Sequence, residues 1–138
     1  MPNGIDLILH DHRHVEELFA TFRDTHDASV VGQIIDALTA HDEAEHAALY
    51  PLATEVLDDA ALIVSMDTAH SAIKKQIDHL RTQEGGVLVD EVEGLEMLVT
   101  EHIADEEKQL LPQVSERATK AQLDWLGTHL LDTKQRVG

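Results

Sequence analysis

Apolar residues recur every three or four positions along nearly the whole chain, and strict alternation of apolar and polar residues is nearly absent. This spacing is typical of amphipathic α-helices that turn one face toward a core. The pattern predicts four long helices and a short fifth helix near the C-terminus, over about 5–23, 29–50, 60–83, 87–111 and 119–134. Because the connections are short, we expect an all-α fold, an antiparallel up-down-up-down four-helix bundle over about 5–112.

Capping residues and helix breakers define the predicted helix ends. Ser29 is a favoured N-cap residue at the start of the second helix, and Thr119 with Gln122 resembles a capping box that opens the fifth. Residues 52–59 are interpreted as a connection. The predicted stops of the second, third and fourth helices are, in order, Pro51, the pair Gly85 and Gly86, and Pro112.

The chain repeats one pattern of polar residues within its apolar helix faces. A His-x-x-x-Glu pair in the second helix recurs 61 residues later in the fourth, and an inward histidine of the first helix recurs 58 residues later in the third. Residues four apart lie one above the other on a helix face, so each His and Glu can reach a common point. The six recurring residues are His12, His41, Glu45, His70, His102 and Glu106.

These six residues predict a metal site in the middle of the bundle. Two buried carboxylates at one level need a cation, and the apolar faces that hold them carry no Lys or Arg. Four imidazoles and two carboxylates suit a pair of metal ions, and ligands without sulfur suit iron, manganese or zinc. A single His-x-x-x-Glu pair is more often a surface pair, so the prediction rests on the repetition. The remaining histidines are interpreted as surface residues: His10, His14, His26, His46, His79 and His129.

Composition narrows the classes of function. With 138 residues the chain has room for one domain, residues 1–138, and its 27 acidic and 10 basic residues give a net charge of −17. Such a charge disfavours nucleic-acid and membrane partners. The absence of cysteine excludes disulfides, iron–sulfur clusters and thiolate nucleophiles. The sequence predicts no signal peptide and no membrane span, so we expect a cytoplasmic protein.

The stretches around these residues resemble the hemerythrin-like family, also called HHE cation-binding domains. The matching segments are HDHRHVEELFATF, HDEAEHAALYP, AHSAIKKQI and HIADEEKQLLP. The resemblance implies a single hemerythrin-like domain around two non-haem iron ions, joined by an oxo or hydroxo bridge and by carboxylates, with zinc or manganese as alternative metals. The terminal ligands it implies are His12, His41, His70 and His102, and the bridges are Glu45 and Glu106.

Three positions qualify this ligand set. Oxygen-carrying hemerythrins have a second histidine one turn after the third-helix ligand, where this chain has Lys74. They place the last carboxylate five residues after its histidine, which would select Glu107. Other members place it four residues after, which selects Glu106, and the apolar face agrees with Glu106. The single tyrosine, Tyr50, is interpreted as a packing residue that could instead reach the metals as a ligand, proton donor or radical sink.

The resemblance implies small exogenous ligands, namely hydrogen peroxide, O2 or nitric oxide. With four histidines the metals keep open positions, and such positions separate reactive metal sites from structural ones. We expect peroxide decomposition slightly ahead of reversible O2 binding by a carrier or sensor. Iron storage or a structural zinc site is the third hypothesis. Whether the chain is an enzyme stays open at this point, as does any protein partner.

Overall fold

The computed structural model describes residues 3–137, which form an antiparallel four-helix bundle with a fifth helix packed against it. Helix α1 spans Gly4–Thr25, α3 spans Ala60–Leu80 and α5 spans Lys120–Val137. Helix α2 covers residues 28–56 and α4 covers 85–117. Helix α1 packs on α2, α3 packs on α4, and α5 lies against α1 and α2. No helix in this described part is long and apolar enough to cross a membrane.

Helices α2 and α4 are each interrupted by one π-helical turn. The successive parts of α2 are Ala28–Ala44, the π turn Glu45–Leu49, and Tyr50–Val56. The corresponding parts of α4 are Gly85–Asp105, the π turn Glu106–Leu110, and Leu111–Arg117. Isolated π turns are rare and occur frequently at functional sites. Each one here begins at a glutamate of the repeated His-x-x-x-Glu pair.

The prediction that Pro51 and Pro112 end their helices is wrong. In an uninterrupted α-helix a proline removes one hydrogen bond and clashes with the carbonyl four residues earlier. Each proline here instead lies in the first turn of a new α-helical part, directly after a π turn. A proline at such a position leaves no hydrogen bond of the helix unmade. Helix α2 therefore continues through most of the segment 52–59 that was expected to be a connection.

Two further helix ends differ from the prediction. Asp27, not Ser29, is the N-cap of α2, because the Asp27 carboxylate accepts the main-chain N–H of Ser29 at 2.9 Å. Gly85 and Gly86 begin α4 rather than end α3, which stops at the buried Leu80. Gly85 has a φ of 62°, a left-handed conformation that suits glycine and turns the chain into α4.

The fifth helix is longer than predicted, although its start is confirmed. The capping box is present, since the Thr119 hydroxyl and the Gln122 amide oxygen each accept the other residue's main-chain N–H, at 3.1 and 2.8 Å. The helix extends to Val137 because its apolar face packs on the bundle, where Leu126 and Leu130 are buried. Basic residues in its last turn also favour the C-terminal end of the helix dipole.

The core consists of two apolar clusters with a polar layer between them. One cluster includes Ile8, Leu49 and Leu110, and the other includes Val15 and residues farther along the bundle. His12 lies between Ile8 and Val15 on the buried face of α1, at the level where the two clusters meet. The bundle therefore holds its buried polar side chains in mid-length, with apolar packing on both sides.

Candidate metal centre

The structure brings the six predicted side chains together in two adjoining groups that share both carboxylates. All six residues are buried, and Glu45 and Glu106 have no exposed surface. Within each group, one atom of every residue lies within 4.8 Å of one atom of each of the others. The first half consists of His12, His41, Glu45 and Glu106, and the second half consists of Glu45, His70, His102 and Glu106.

Glu45 offers one carboxylate oxygen to each half. Its Oε2 lies 3.2 Å from His41 Nε2 in the first half, and its Oε1 lies 3.0 Å from His70 Nε2 in the second. Two ligands of one metal ion, each bonded at about 2.1 Å, are separated by about 3 Å when their bonds are perpendicular. The Glu45 carboxylate therefore has the placement of a bridge between two metal positions.

Glu106 repeats this arrangement from the opposite side. Its Oε1 lies 3.1 Å from His12 Nε2, and its Oε2 lies 3.2 Å from His102 Nε2. In the second half the Nε2 atoms of His70 and His102 are only 2.8 Å apart. Each half thus presents two imidazole nitrogens and two carboxylate oxygens to a common point.

The π turns contribute to this convergence. Glu45 and Glu106 each begin a π turn directly after an α-helical part that carries the histidine of the pair. The wider turn lets Pro51 and Pro112 follow within the same helix, so the helix keeps packing beyond the glutamate. The His-x-x-x-Glu pairs therefore lie inside long packed helices rather than at frayed helix ends.

The buried polar atoms fit a metal pair better than they fit one another. Four inward atoms of the first half have no hydrogen-bond partner within residues 3–137: Nε2 of His12 and of His41, Oε2 of Glu45 and Oε1 of Glu106. An unpaired buried polar atom is costly and rare. A cation at their common point would satisfy all four at once, and the donor set of nitrogen and oxygen is that of a metal site.

Charge within the layer also calls for a cation. Burial favours neutral imidazole, but the Asp42 and Glu45 carboxylates outweigh it and raise the pKa of His70 to about 9. Burial likewise opposes ionisation of Glu45, yet His41 and the other polar neighbours hold the pKa of Glu45 well below its usual range. The carboxylates therefore stay ionised and draw positive charge to the layer, which protons or metal ions can supply.

Three of the four imidazoles are held by a carboxylate on their outward nitrogen. His12 Nδ1 lies 2.7 Å from Glu107 Oε2, and His41 Nδ1 lies 3.2 Å from Asp11 Oδ2. The Asp42 carboxylate contacts Nδ1 of His70. Such carboxylate partners fix the tautomer and ring orientation of metal-binding histidines. Glu107, considered above as an alternative ligand, is positioned here as the partner of His12 rather than in either half.

Sequence reasoning missed Asp11 and Asp42 because each one serves a histidine on a neighbouring helix. Asp11 on α1 contacts His41 on α2, and Asp42 on α2 contacts His70 on α3. A residue adjacent to an inward histidine lies about 100° around the helix, which turns it toward the next helix of the bundle. A carboxylate beside a histidine ligand is therefore the signal that could have found both.

His102 differs from the other three imidazoles. Its Nδ1 is buried and has no hydrogen-bond partner in the part of the chain that the structure describes. The second half therefore holds one supported histidine, His70, and one that is fixed by packing and by its contacts at Nε2 alone.

Tyr50 places its hydroxyl among the ligand atoms of the second half. The hydroxyl oxygen lies 2.7 Å from His70 Nε2, 3.2 Å from Glu106 Oε2 and 3.5 Å from Glu45 Oε1. Burial, together with the negative charges of both carboxylates, raises the pKa of Tyr50 far above its usual value. Tyr50 is thus both a packing residue, as predicted, and a polar group within the layer.

Comparison with known proteins agrees with this arrangement. Residues 3–114 match the hemerythrin HHE cation binding domain, which is most of the chain. The chain belongs to the hemerythrin HHE family. Its fold matches the crystal structure of a hemerythrin HHE cation binding domain-containing protein from Mycobacterium kansasii, with a TM-score of 0.87 over 99% of this chain and 88% of that one, at 18% identity.

A longer relative shares this HHE-type sequence. A protein of Nostoc sp. named DNA nickase is 25% identical over 138 residues, which cover 96% of this chain. The chain spans 39% of the length of that relative. Membership of the HHE family and the buried His and Glu cluster together support a metal-binding helical protein.

A cavity of about 170 Å³ reaches the four histidines of the HHE layer. Buried apolar side chains line its inner part, among them Val15, Leu38 and Ile73. Its exposed lining is charged and includes Lys74 and Arg81. Lys74, which replaces the additional histidine of the oxygen carriers, is therefore an exposed residue of the cavity and not a member of either half.

Proposed function

We propose that this chain binds two iron ions in the buried layer and that the pair reacts with small oxidants, chiefly by decomposing hydrogen peroxide. The observation that carries the proposal is the placement of the two carboxylates, each with one oxygen directed to each half. In this assignment His12 and His41 hold one ion, His70 and His102 hold the other, and Glu45 and Glu106 bridge them.

Iron is favoured among the metals that this donor set admits. Imidazole and carboxylate ligands without sulfur suit iron, manganese and zinc alike. The resemblance to hemerythrin-like proteins selects iron, and a redox-active metal is what small oxidants require. Zinc, which has no redox chemistry, would make the same residues a structural site.

The two halves differ in how many protein atoms surround the metal position. The first half presents four atoms, whereas the Tyr50 hydroxyl adds a fifth to the second half, at distances typical of neighbouring ligands. Tyr50 therefore takes the role that Lys74 does not, because it closes the second half. The first half keeps the larger share of open positions, and open positions are where exogenous ligands bind.

The cavity supports a small polar substrate. Its charged outer residues, including Glu43 and Lys74, can hydrogen-bond a molecule such as hydrogen peroxide, and its volume of about 170 Å³ admits only small molecules past the apolar inner walls. His12 and His41, which line its inner end, belong to the half with the open positions.

Peroxide decomposition balances without an external reductant. One hydrogen peroxide loses two electrons and two protons and becomes O2, and a second takes up both and becomes two molecules of water. When bound, the iron pair supplies the redox change that carries the two electrons between these steps. The chain keeps both carboxylates ionised, orients the imidazoles and surrounds the layer with apolar packing.

Reversible O2 binding is the second candidate function, and the cavity walls favour it. The buried lining of the inner cavity is apolar, with Ile77, Val99 and Ile103 beside the histidines. An apolar path suits an uncharged gas, which needs no hydrogen bonds along the way. The nicking activity in the name of the Nostoc relative is not part of the proposal, because a net charge of −17 repels the phosphate backbone of DNA.

The proposal is tested with the iron-loaded chain. We expect two iron ions per chain and evolution of one O2 for every two molecules of hydrogen peroxide consumed. Limited O2 added to the anaerobically reduced protein should convert it to a stable oxidised spectrum. An absorption band that appears with O2 and vanishes on degassing would select reversible binding instead. Iron content near zero, with two zinc ions bound, would contradict both.

A further inference from the structure

A second cluster of metal-binding side chains lies on the surface beside the buried layer. Asp42, His46 and Asp67 line a pocket of about 290 Å³, together with His70, Ser71 and Lys74. The pocket adjoins the second half, because His70 belongs to both. The His46 ring also stands against Tyr50, with ring centroids 5.2 Å apart, and against His70 at 5.0 Å.

His46 is oriented as a metal ligand. Its Nδ1 donates a hydrogen bond to the main-chain carbonyl oxygen of Asp42 at 2.9 Å, which leaves Nε2 as the nitrogen with a free lone pair. That Nε2 faces Asp67 Oδ1 at a distance of 2.7 Å. Two acceptors this close need a positive charge between them, either a proton or a metal ion. A hydrogen bond from the outer nitrogen to a carbonyl is the support that metal-binding histidines usually have.

The cluster is built for weak rather than permanent binding. His46 and Asp67 come from different helices, α2 and α3, and both are exposed. Asp42 adds a carboxylate to the same pocket, but that carboxylate also holds His70. Lys74 contributes a positive charge to the pocket, which opposes tight retention of a cation. Few ligands and a nearby lysine give a site that a divalent cation occupies and leaves.

A cation needs such a route because the buried layer is closed to bulk water. The six layer residues are all buried, and the inner walls of the other cavity are apolar. Moving a hydrated divalent cation past apolar walls is expensive, whereas a polar pocket replaces its water ligands one at a time. The net charge of −17 raises the local concentration of cations at the surface.

We infer that Asp42, His46 and Asp67 form a loading site, at which a divalent cation binds on its way to the buried centre through the side of His70 and Tyr50. The inference rests on the proposed function, since it assumes that the layer holds metal. It assigns different paths to the two reactants, with cations entering by the polar pocket and uncharged oxidants by the apolar cavity.

The test follows the binding of Co²⁺ to the metal-free chain by stopped-flow visible absorption, with the final metal content measured after dialysis. We expect His46→Ala and Asp67→Asn each to slow uptake at low Co²⁺ by about tenfold, the loss of affinity that removal of one supporting group brings. The double variant should be no slower than the slower single variant by more than about twofold, since both act on one step. All variants should reach two ions per chain.

His79→Ala is the matched control. His79 is exposed on the same helix as Asp67 and pairs with a carboxylate, Glu91, at 3.4 Å, but it lies outside the pocket. Its uptake rate should equal that of the unmodified chain. Far-UV circular dichroism and thermal unfolding of the metal-free variants check that each one folds.

The outcomes separate the two proposals. Unchanged uptake rates in His46→Ala and Asp67→Asn would overturn the loading site while leaving the buried centre intact. A final content below two ions in His46→Ala would also overturn it, because His46 would then be part of the resident site. If the unmodified chain binds no Co²⁺, the proposed function itself fails.

Discussion

The two halves of the centre receive the same ligands from the repeated sequence but different surroundings. In the first half both histidines are supported by carboxylates, and those carboxylates are tied in turn to Arg13 and to Lys134 of α5. In the second half only one histidine has such support, and a tyrosine hydroxyl joins the ligand atoms. The comparison teaches that an internal repeat can supply equal ligands while its unrepeated residues make the two metal positions unequal.

The unrepeated residues can be identified by position. At the offset of 61 residues, Tyr50 corresponds to Leu111, and Asp42 corresponds to Ile103. Neither counterpart can donate a hydrogen bond from its side chain to the layer. The residues that make the second half different are therefore the ones at which the two copies diverge.

Glu45→Ala should have the largest effect, because it removes a group that both halves share. We expect the iron content to fall from two per chain to near zero. The free energy of unfolding should decrease by about 3–5 kcal/mol, the usual cost of breaking a buried ion pair. Elemental analysis after iron loading and chemical denaturation measure the two effects. An unchanged iron content would contradict the bridging assignment.

Asp42→Asn and Asp11→Asn sharpen the comparison by weakening one half at a time. Each removes the negative charge that holds the outward nitrogen of His70 or of His41. We expect a loss of about 10–100-fold in affinity for one of the two ions, with the other unaffected. Competitive titration with a chelator gives the two constants. Equal weakening of both ions by either variant would refute the separation into halves.

Tyr50→Phe tests the feature that distinguishes the second half. The ring is retained, and only the hydroxyl near His70, Glu106 and Glu45 is lost. We expect two iron ions per chain, about tenfold weaker binding of one of them, and loss of any tyrosine-to-iron absorption in the visible spectrum. A spectrum identical to that of the unmodified chain would show that the hydroxyl does not contact the metal.

Lys134→Ala should have a smaller effect, restricted to the first half. Lys134 is partly exposed and acts at one remove, by holding the Asp11 carboxylate that contacts His41. We expect a loss of less than about tenfold in affinity for the first-half ion, smaller than that caused by Asp11→Asn. Lys134→Arg should restore it, and failure of that rescue would mean that the positive charge is not what matters.

His14→Ala should have no effect on either half. His14 is exposed, two residues from His12 on α1, and it belongs to neither group. Iron content and both metal affinities should equal those of the unmodified chain. Loss of an ion would mean that the wrong histidine of the first helix has been assigned.

Most of the fold followed from the spacing of apolar residues, because helix faces are determined locally. The bundle, its five helices and the capping box at Thr119 are all readable from the chain. The continuation of the helices through Pro51 and Pro112 was not, since it depends on π turns that the packing of neighbouring helices stabilises. Proline normally ends a helix, and no local pattern indicates where a π turn relieves it.

The convergence of the six inward residues could be predicted, whereas their partners could not. The repeat fixes which residues face inward, and mid-helix residues of an antiparallel bundle meet at one level. The contacts of Asp11 with His41 and of Glu107 with His12 depend on the rotation of one helix against another. His46 was interpreted as an ordinary surface residue because its ring contacts with Tyr50 and His70 also arise only in the folded bundle.

Mössbauer spectroscopy of the chain loaded with isotopically enriched iron tests the central claim most directly. Two ions that share both carboxylates but differ in Tyr50 and in histidine support should give two quadrupole doublets of equal area, without magnetic splitting in the oxidised state. A single iron per chain, or one doublet that accounts for both ions, would contradict the account of two unequal halves.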